Sequence, residues 1–428
     1  MNRWFSSLTM FSSVQWLFFI FANTVLVPIA VGNAFQLPPE TIAMMLRTSL
    51  ILTGMACMIQ GWLGHKFPIM EGPSGLIWGL ILNLGLSAHS LGMSPFEIGG
   101  GIATGLLLAC LVSILLVVFN GVKILKWIFQ PMVKSVYLFL LTFQLIFIFF
   151  EGMFKLNDDG SIHIPISLYS VAIVIFVTLL TMKGNRFISN FSILIGIVVG
   201  WIGYELIFPQ EVGLSLKSME IEWTLFPLGE PNFQIGIIVV SFIAGILNLS
   251  NSIVSIQTAA SLYKQQANDK QIGRSIYITS IMTIIGTMFG QVAFTPFTST
   301  IGFLQSTKIY NREPFILGGG LLTAIGVIPF IATFLTQMPF TVGNAVLLVA
   351  YMQLFGTAMN SLKGEVFNSN TIFRIALPIL FGVSLMKVPP SIFSNLPVMI
   401  QPLISNGLIM GMLLSILLEK LVKWDSLK

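Results

Sequence analysis

Residues Phe67 to Gly79 read FPIMEGPSGLIWG, which sets one carboxylate, two prolines and three glycines inside a run that hydropathy alone would assign to a membrane span. A helix interrupted in this way leaves backbone N–H and C=O groups unpaired. At membrane depth such groups are tolerated only where they are buried in protein or line a polar cavity. The stretch therefore reads as a discontinuous span, with a short extended piece at the break and a half-helix beginning near Gly75.

Composition supplies the setting. The chain has 428 residues, of which 55% are hydrophobic and only 9% charged, and its mean hydropathy is +0.91. A soluble domain cannot cover its surface with so little charge, so the chain reads as a polytopic membrane protein whose main partner is the lipid bilayer. The N-terminal run, MNRWFSSLTMFSSVQWLFFIFANTVLVPIAV, has one basic residue and no small-residue cleavage site, and is expected to be a retained first span. A net charge of +5 reports topology here rather than nucleic-acid binding. Cys57 and Cys110 sit in apolar runs and read as packing residues. The three histidines are not expected deep in the membrane, and no metal-ligand or acid/base constellation is visible. No enzyme activity, metal or cofactor is therefore expected. The GGG runs at 99 to 101 and 318 to 320 open apolar helices with no P-loop lysine, which argues against nucleotide binding.

Apolar windows of membrane-spanning length give fourteen spans. The first seven lie near 9 to 32, 41 to 63, 67 to 87, 98 to 119, 130 to 152, 166 to 183 and 188 to 208. The second seven lie near 234 to 262, 273 to 290, 291 to 310, 314 to 335, 340 to 360, 371 to 388 and 398 to 418. With both termini cytoplasmic, the inner segments hold most of the 21 Lys and Arg, including Lys123, Lys183, Lys264, Lys270, Arg274 and Lys420. The outer loops hold only Lys155, Lys217 and Lys387. A miscounted early span would invert every later loop and destroy that asymmetry. The polar interruption from Pro209 to Asn232 separates two halves of seven spans. Seven is odd, so the second half enters the membrane from the opposite side, which is the condition for an inverted repeat and the architecture of many secondary transporters.

In such transporters the ligand site lies where one helix of each half is discontinuous. The counterpart of the third span is the tenth, and it too breaks, at Phe294 to Gly302, FTPFTSTIG. Each half-helix would aim its positive end and free amides at the midplane. The eighth span, LNLSNSIVSIQTAAS, places Asn248, Asn251, Ser252 and Ser255 at i, i+3, i+4, i+7, one polar stripe on one helical face, and reads as a cavity lining. The aromatic-rich fifth span, VYLFLLTFQLIFIFF, reads as lipid-facing or packing surface.

At these segments the chain resembles the nucleobase–ascorbate transporter family, whose bacterial members include uracil and xanthine permeases. In QWLFFIFANTVLVP it keeps the family's Gln as Gln15, with Trp16 in place of His. FPIMEGPSGL keeps Pro68, Gly72 and Ser74 but has Gly75 for the family's Phe. STIGFLQSTK keeps Gly302, Thr307 and Lys308, while Ser299 and Thr300 replace an acid or amide and an Asn. In the eighth span Asn251 and Ser255 stand where the family has a glutamate and a His or Asp.

The resemblance implies an all-α fold of two inverted repeats of seven, with short antiparallel strands in the broken spans 3 and 10. It implies a core domain of residues 1–119 and 234–335 and a gate domain of 120–208 and 336–428, the one moving against the other in alternating access. It further implies a nucleobase such as xanthine or uracil as substrate, a plasma-membrane location, and a homodimer through the gate domain. A nucleobase needs rigid polar partners around its edge and apolar surface on its faces. Ser74, Gly75, Asn251, Ser255, Thr298, Ser299 and Thr300 are the candidates for that edge.

Glu71 is the one acidic residue expected near the membrane centre. An ionised carboxylate is costly there, which suits a group that takes up and releases the coupling ion, H+. The other role open to it is structural, holding the amides of the following half-helix or a polar group of the gate domain. Alternatives to a proton-coupled nucleobase permease are an uncoupled facilitator, a small-anion transporter of the same fold, and a membrane sensor. The lack of a basic residue at either break argues against an anion.

Overall fold

The computed structural model describes residues 7–119, 121, 123, 131–157, 160–185, 188–189, 191–208, 223–335, 337–362, 364–393, 395–397, 400–422 and 424. Lys217 and most of the polar interruption, residues 209–222, lie outside them.

Each expected span coincides with helical structure. The first half comprises α1 (Ser7–Ala22) with α2 (Leu26–Ala34), α3 (Pro39–Trp62), β1 (Glu71–Pro73) with α4 (Gly75–Leu86), α5 (Pro95–Val118), α6 (Pro131–Gly152), α7 (Ile164–Lys183) and α8 (Ser192–Ile207). The second half comprises α9 (Ile235–Leu262), α10 (Asp269–Met288), β2 (Phe294–Pro296) with α11 (Thr300–Thr307), α12 (Arg312–Val327) with α13 (Pro329–Leu335), α14 (Phe340–Ser361), α15 (Ser369–Met386), and α16 (Gln401–Ile404) with α17 (Gly407–Leu421). Breaks occur at spans 3 and 10 as expected, but also in spans 1, 11 and 14. In span 1, Asn23 and Thr24 turn their side chains back onto the carbonyls of Phe19 and Ile20, at 2.8 and 2.7 Å, and compete with the helical ladder. In span 11 the break falls at Pro329, which has no amide to continue the helix.

Packing repeats between the halves. α3 lies against α12 as α10 lies against α5, and α1 against α12 as α9 against α5. Elsewhere α7 packs on α14 as α15 packs on α6, and α6 on α17 as α14 on α8. Each of these pairs maps onto its partner when the span number is advanced by seven, as two copies of one seven-span unit require. The two GGG runs occupy equivalent positions in spans 4 and 11, and both serve close approach. A Cβ on Gly99 would lie 1.9 Å from the Leu228 carbonyl oxygen, and one on Gly318 would lie 2.6 Å from Cβ of Trp16. Small residues let membrane helices approach this closely where bulkier ones would hold them apart.

The strands form one antiparallel pair, with Glu71 opposite Pro296, Gly72 opposite Thr295 and Pro73 opposite Phe294. Two further bonds extend it: Ser74 N–H donates to the Ala293 carbonyl at 2.7 Å, and Phe297 N–H to the Met70 carbonyl at 2.8 Å. Pro68 and Pro73 around β1 and Pro296 at the end of β2 keep the ribbon short. The pair is wholly buried, which satisfies backbone that lipid would leave unpaired.

Candidate functional site

The strand pair brings the two half-helices together, and α9 packs across both. Ser74 is the N-cap of α4, its hydroxyl oxygen accepting from Ile77 N–H at 3.5 Å while its O–H donates to Oδ1 of Asn248 at 2.6 Å. Nδ2 of the same Asn248 donates to the Phe294 carbonyl at 3.0 Å, so one α9 side chain ties β1 and β2 together. Two turns further along α9, Ser255 donates to the Pro296 carbonyl at 2.9 Å and lies 2.7 Å from Oγ1 of Thr298.

Between these two anchors sits Asn251, half-buried, whose Nδ2 donates to the phenol oxygen of Tyr137 on α6 at 3.1 Å. That bond leaves the Asn251 carbonyl oxygen free to accept. Gly75 opens the same space: the nearest atoms to a Cβ there would belong to Leu141, Tyr351 and Leu145, at 3.6 to 3.8 Å, all of them ordinary contacts. The Tyr351 ring packs against Trp78 and Phe149, each at 5.5 Å between centroids. The first-turn amides of α4 have no intrahelical acceptor and point toward its N-terminal end. The result is a polar rim from α9 and the strand ends, faced by aromatic rings from α6 and α14.

Ser74, Gly75, Asn251, Ser255 and Thr298 thus come together. Ser299 is exposed beside them at the start of α11. Thr300 is fully buried and its hydroxyl accepts from Met70 N–H at 3.2 Å, which fastens α11 to the chain leading into β1. Among the resemblance residues, Pro68 and Gly72 are buried around the strand. Gln15 is half-buried on α1, and Gly302 faces open space. Thr307 bonds the Phe303 carbonyl at 2.8 Å, and Lys308 closes α11 in the left-handed conformation at φ 56°.

Glu71 does not join the group held by α9. Its carboxylate is fully buried and turned to α10, where Thr279 donates to Oε1 at 2.6 Å. Thr279 in turn accepts from Nε2 of Gln60 on α3 at 2.9 Å, and the same nitrogen donates to the Ser275 carbonyl at 3.0 Å. Cys57 packs beside the backbone of Glu71, its thiol 3.3 Å from the Glu71 carbonyl. Among the described residues the half-helix amides do not hold the carboxylate, and neither does any side chain of α6, α7, α8, α14, α15 or α17.

Sequence reasoning passed over Tyr137, Tyr351, Gln60 and Thr279. Tyr137 and Tyr351 belong to aromatic-rich runs whose buried and lipid-facing positions look alike in composition. His65, which falls between the expected second and third spans, is fully buried, its Nδ1 accepting from Phe67 N–H at 3.1 Å. Burial pushes its pKa down to about 3, because the charged imidazolium would lose its hydration there.

A family model described as "Permease family" (Xan_ur_permease) matches residues 7–391. "Putative purine permease YwdJ" of Bacillus subtilis (strain 168) is 29% identical over 426 residues, covering 96% of this chain and 95% of that one. "Nucleobase transporter PlUacP" of Paenibacillus larvae subsp. larvae is 26% identical over 414 residues, with 94% and 91% covered. Among solved structures, the transmembrane domain of the cyanobacterium bicarbonate transporter BicA superposes with a TM-score of 0.63 at 13% identity, covering 94% of this chain and 97% of that one. At that identity the likeness concerns the fold, two inverted repeats of seven spans. A match that runs from the first helix past the last of the paired breaks leaves one assignment, and the chain belongs to this permease family, the nucleobase–ascorbate transporters.

Proposed function

We propose that this protein is a secondary active transporter that brings a purine or pyrimidine nucleobase into the cell across the plasma membrane, coupled to H+ through Glu71. The observation that carries the reading is the bridge from Asn251 on α9 to Tyr137 on α6. It places a free amide acceptor beside the paired half-helix ends and opposite an aromatic wall. That is the surface a flat heterocycle with edge donors and acceptors would fill. The names of the relatives, a purine permease and a nucleobase transporter, support the same substrate class.

In this reading α1 to α5 and α9 to α13 form a core that carries the base, and α6 to α8 with α14 to α17 form the gate. The packing described above supports the division, since the tightest helix pairs fall within these sets. The Asn251–Tyr137 bond then crosses between core and gate, so its breakage accompanies their movement. Ser74, Gly75, Asn251, Ser255, Thr298, Ser299 and Thr300 edge or support the base. With an amide in place of a carboxylate, Asn251 favours a base edge that offers both a donor and an acceptor. Both termini are cytoplasmic, as the distribution of Lys and Arg supports.

Thermal unfolding of the purified protein in detergent tests the substrate class. Among uracil, xanthine, hypoxanthine, guanine and adenine, at least one is expected to stabilise the fold by about 2.7 kcal/mol when present at about 100 times its Kd. Asn251→Leu, which removes the acceptor and keeps the volume, is expected to weaken that base's binding by roughly 10-fold or more, the worth of a lost hydrogen bond at a buried site. Stabilisation by bicarbonate or sulfate, with none by any base, would replace this reading with the small-anion transporter.

A further inference from the structure

Along α10, Gln271, Ser275, Thr279, Thr283 and Thr287 recur at intervals of four and form one polar stripe. Ser275, Thr279, Thr283 and Thr287 are buried, and the stripe faces α3 and the strand pair rather than the substrate rim. Its two ends differ. Beyond Glu71 the stripe is closed: Thr283 accepts from Phe294 N–H at 3.0 Å, and Thr287 donates to the Thr283 carbonyl at 2.8 Å. Toward the start of α10 it is open. There Glu71 Oε2, Gln60 Oε1, Ser275 Oγ and His65 Nε2 are all buried and make no hydrogen bond of good geometry among the described residues, the Gln60 side chain lying close to the Glu71 carboxyl. At the mouth of this end Gln271 is half-buried and donates to the His65 carbonyl.

Buried polar atoms are nearly always paired in proteins, so four unpaired ones along one seam call for a common explanation. Water admitted from the α10 start would satisfy all four. That end carries Asp269, Lys270 and Arg274 and is the one that the distribution of basic residues assigns to the cytoplasm. From Gln271 to Thr279 is eight residues of helix, about 12 Å, so one or two waters and a hydroxyl reach from one to the other.

We propose that Glu71 exchanges its proton with the cytoplasm through the α3–α10 seam, past Thr279, Gln60 and Ser275 toward Gln271 and His65, and not through the substrate cavity. This rests on the proton-coupled reading of Glu71 and names the route that reading leaves open. On release, the proton leaves Oε2 for a water in the seam. Ser275 accepts a proton on its oxygen and gives up its own on the cytoplasmic side, so one proton enters the hydroxyl and one leaves it. Thr279 stays donating to Oε1, and Gln60 holds Thr279 and the Ser275 carbonyl in place. The titratable groups on the surrounding elements are Cys57 and His65 beside the seam with Lys66 next to it, Asp269, Lys270, Arg274 and Tyr277 on α10, Glu97 and Cys110 on α5, and Glu40 and Arg47 toward the start of α3. α9, α11 and β2 carry none. His65 stays neutral and contributes a donor rather than a charge.

Ser275→Ala tests the route, because Ser275 Oγ makes no protein bond and a purely structural role predicts no effect. In proteoliposomes with labelled xanthine, net uptake driven by a pH gradient is expected to fall about tenfold or more, as for loss of a positioned proton-transfer group. Counterflow, in which the loaded carrier shuttles without releasing its proton, is expected to hold. A parallel fall of both, or of neither, overturns the route. Should Glu71→Gln leave net uptake intact, the coupling reading itself fails, whereas loss in Glu71→Gln with a neutral Ser275→Ala removes the route alone. The rate at which the Glu71 carboxyl exchanges with D2O, followed by the infrared carbonyl band that Glu71→Gln abolishes, slows in Ser275→Ala whichever base is carried. An unchanged exchange rate contradicts the proposal.

Discussion

Glu71→Gln is expected to abolish concentrative uptake while leaving downhill equilibration of the same substrate in place. The carboxylate is fully buried, one oxygen is bonded by Thr279 at 2.6 Å, and no cation pairs with it among the described residues. An amide reproduces its shape and can still accept from Thr279, but it cannot load and unload a proton. In a membrane held at 100 mV, one co-transported charge is worth about 2.3 kcal/mol. That corresponds to roughly 50-fold in the steady-state ratio of inside to outside substrate, and the variant should lose that factor. Intact protein at the cell surface and intact counterflow would separate lost coupling from lost folding. A variant that still accumulates substrate would return Glu71 to a purely structural part, as a polar tie between β1 and α10.

Gly54→Val is expected to have the largest effect on stability. Gly54 lies where α3 and α12 come closest: a Cβ there would stand 2.3 Å from Thr323 Oγ1, 2.4 Å from the Gly319 carbonyl oxygen and 2.8 Å from Thr323 N. Two of these three atoms are backbone, so no rotamer change makes room and the helices must separate. Overpacking of this kind costs about 3 kcal/mol, and in a bilayer no hydrophobic gain offsets it, since lipid is as apolar as valine. The same displacement moves Cys57 and Gln60, one and two turns along α3, away from Glu71 and α10. Melting of the purified protein is expected to shift down accordingly, and the residual folded fraction to couple poorly. Gly320, whose added Cβ would meet only the Met58 sulfur at 3.4 Å, provides the contrast: Gly320→Ala should be nearly silent.

Much of this architecture was legible because its punctuation is chemical. Pro68, Pro73, Pro296 and the flanking glycines mark the breaks, and Lys and Arg mark the loops on one side, so span number and the paired discontinuities follow from local composition. The cross-links between distant segments were not legible. Asn248 bonds Ser74 and the Phe294 carbonyl across 174 and 46 residues, and one chain without its fold does not reveal such partners. The α9 stripe was found by its spacing. The equivalent stripe on α10, Gln271 through Thr287, has the same kind of spacing but lies among Ile and Thr residues that dilute it. Tyr137 was absorbed into an aromatic run, since a buried phenol and a lipid-facing one have the same sequence. Glu71 stood out as a lone acid, but only the fold turns it toward α10 and away from Asn251 and Ser255.

The most direct test of the account is accumulation of labelled uracil, xanthine, hypoxanthine, guanine and adenine by cells that lack their own nucleobase permeases and express this protein, with and without a protonophore. The account predicts that at least one base is concentrated inside the cells and that the protonophore removes the concentration. Failure to take up any base, in cells where the protein reaches the membrane, would contradict it.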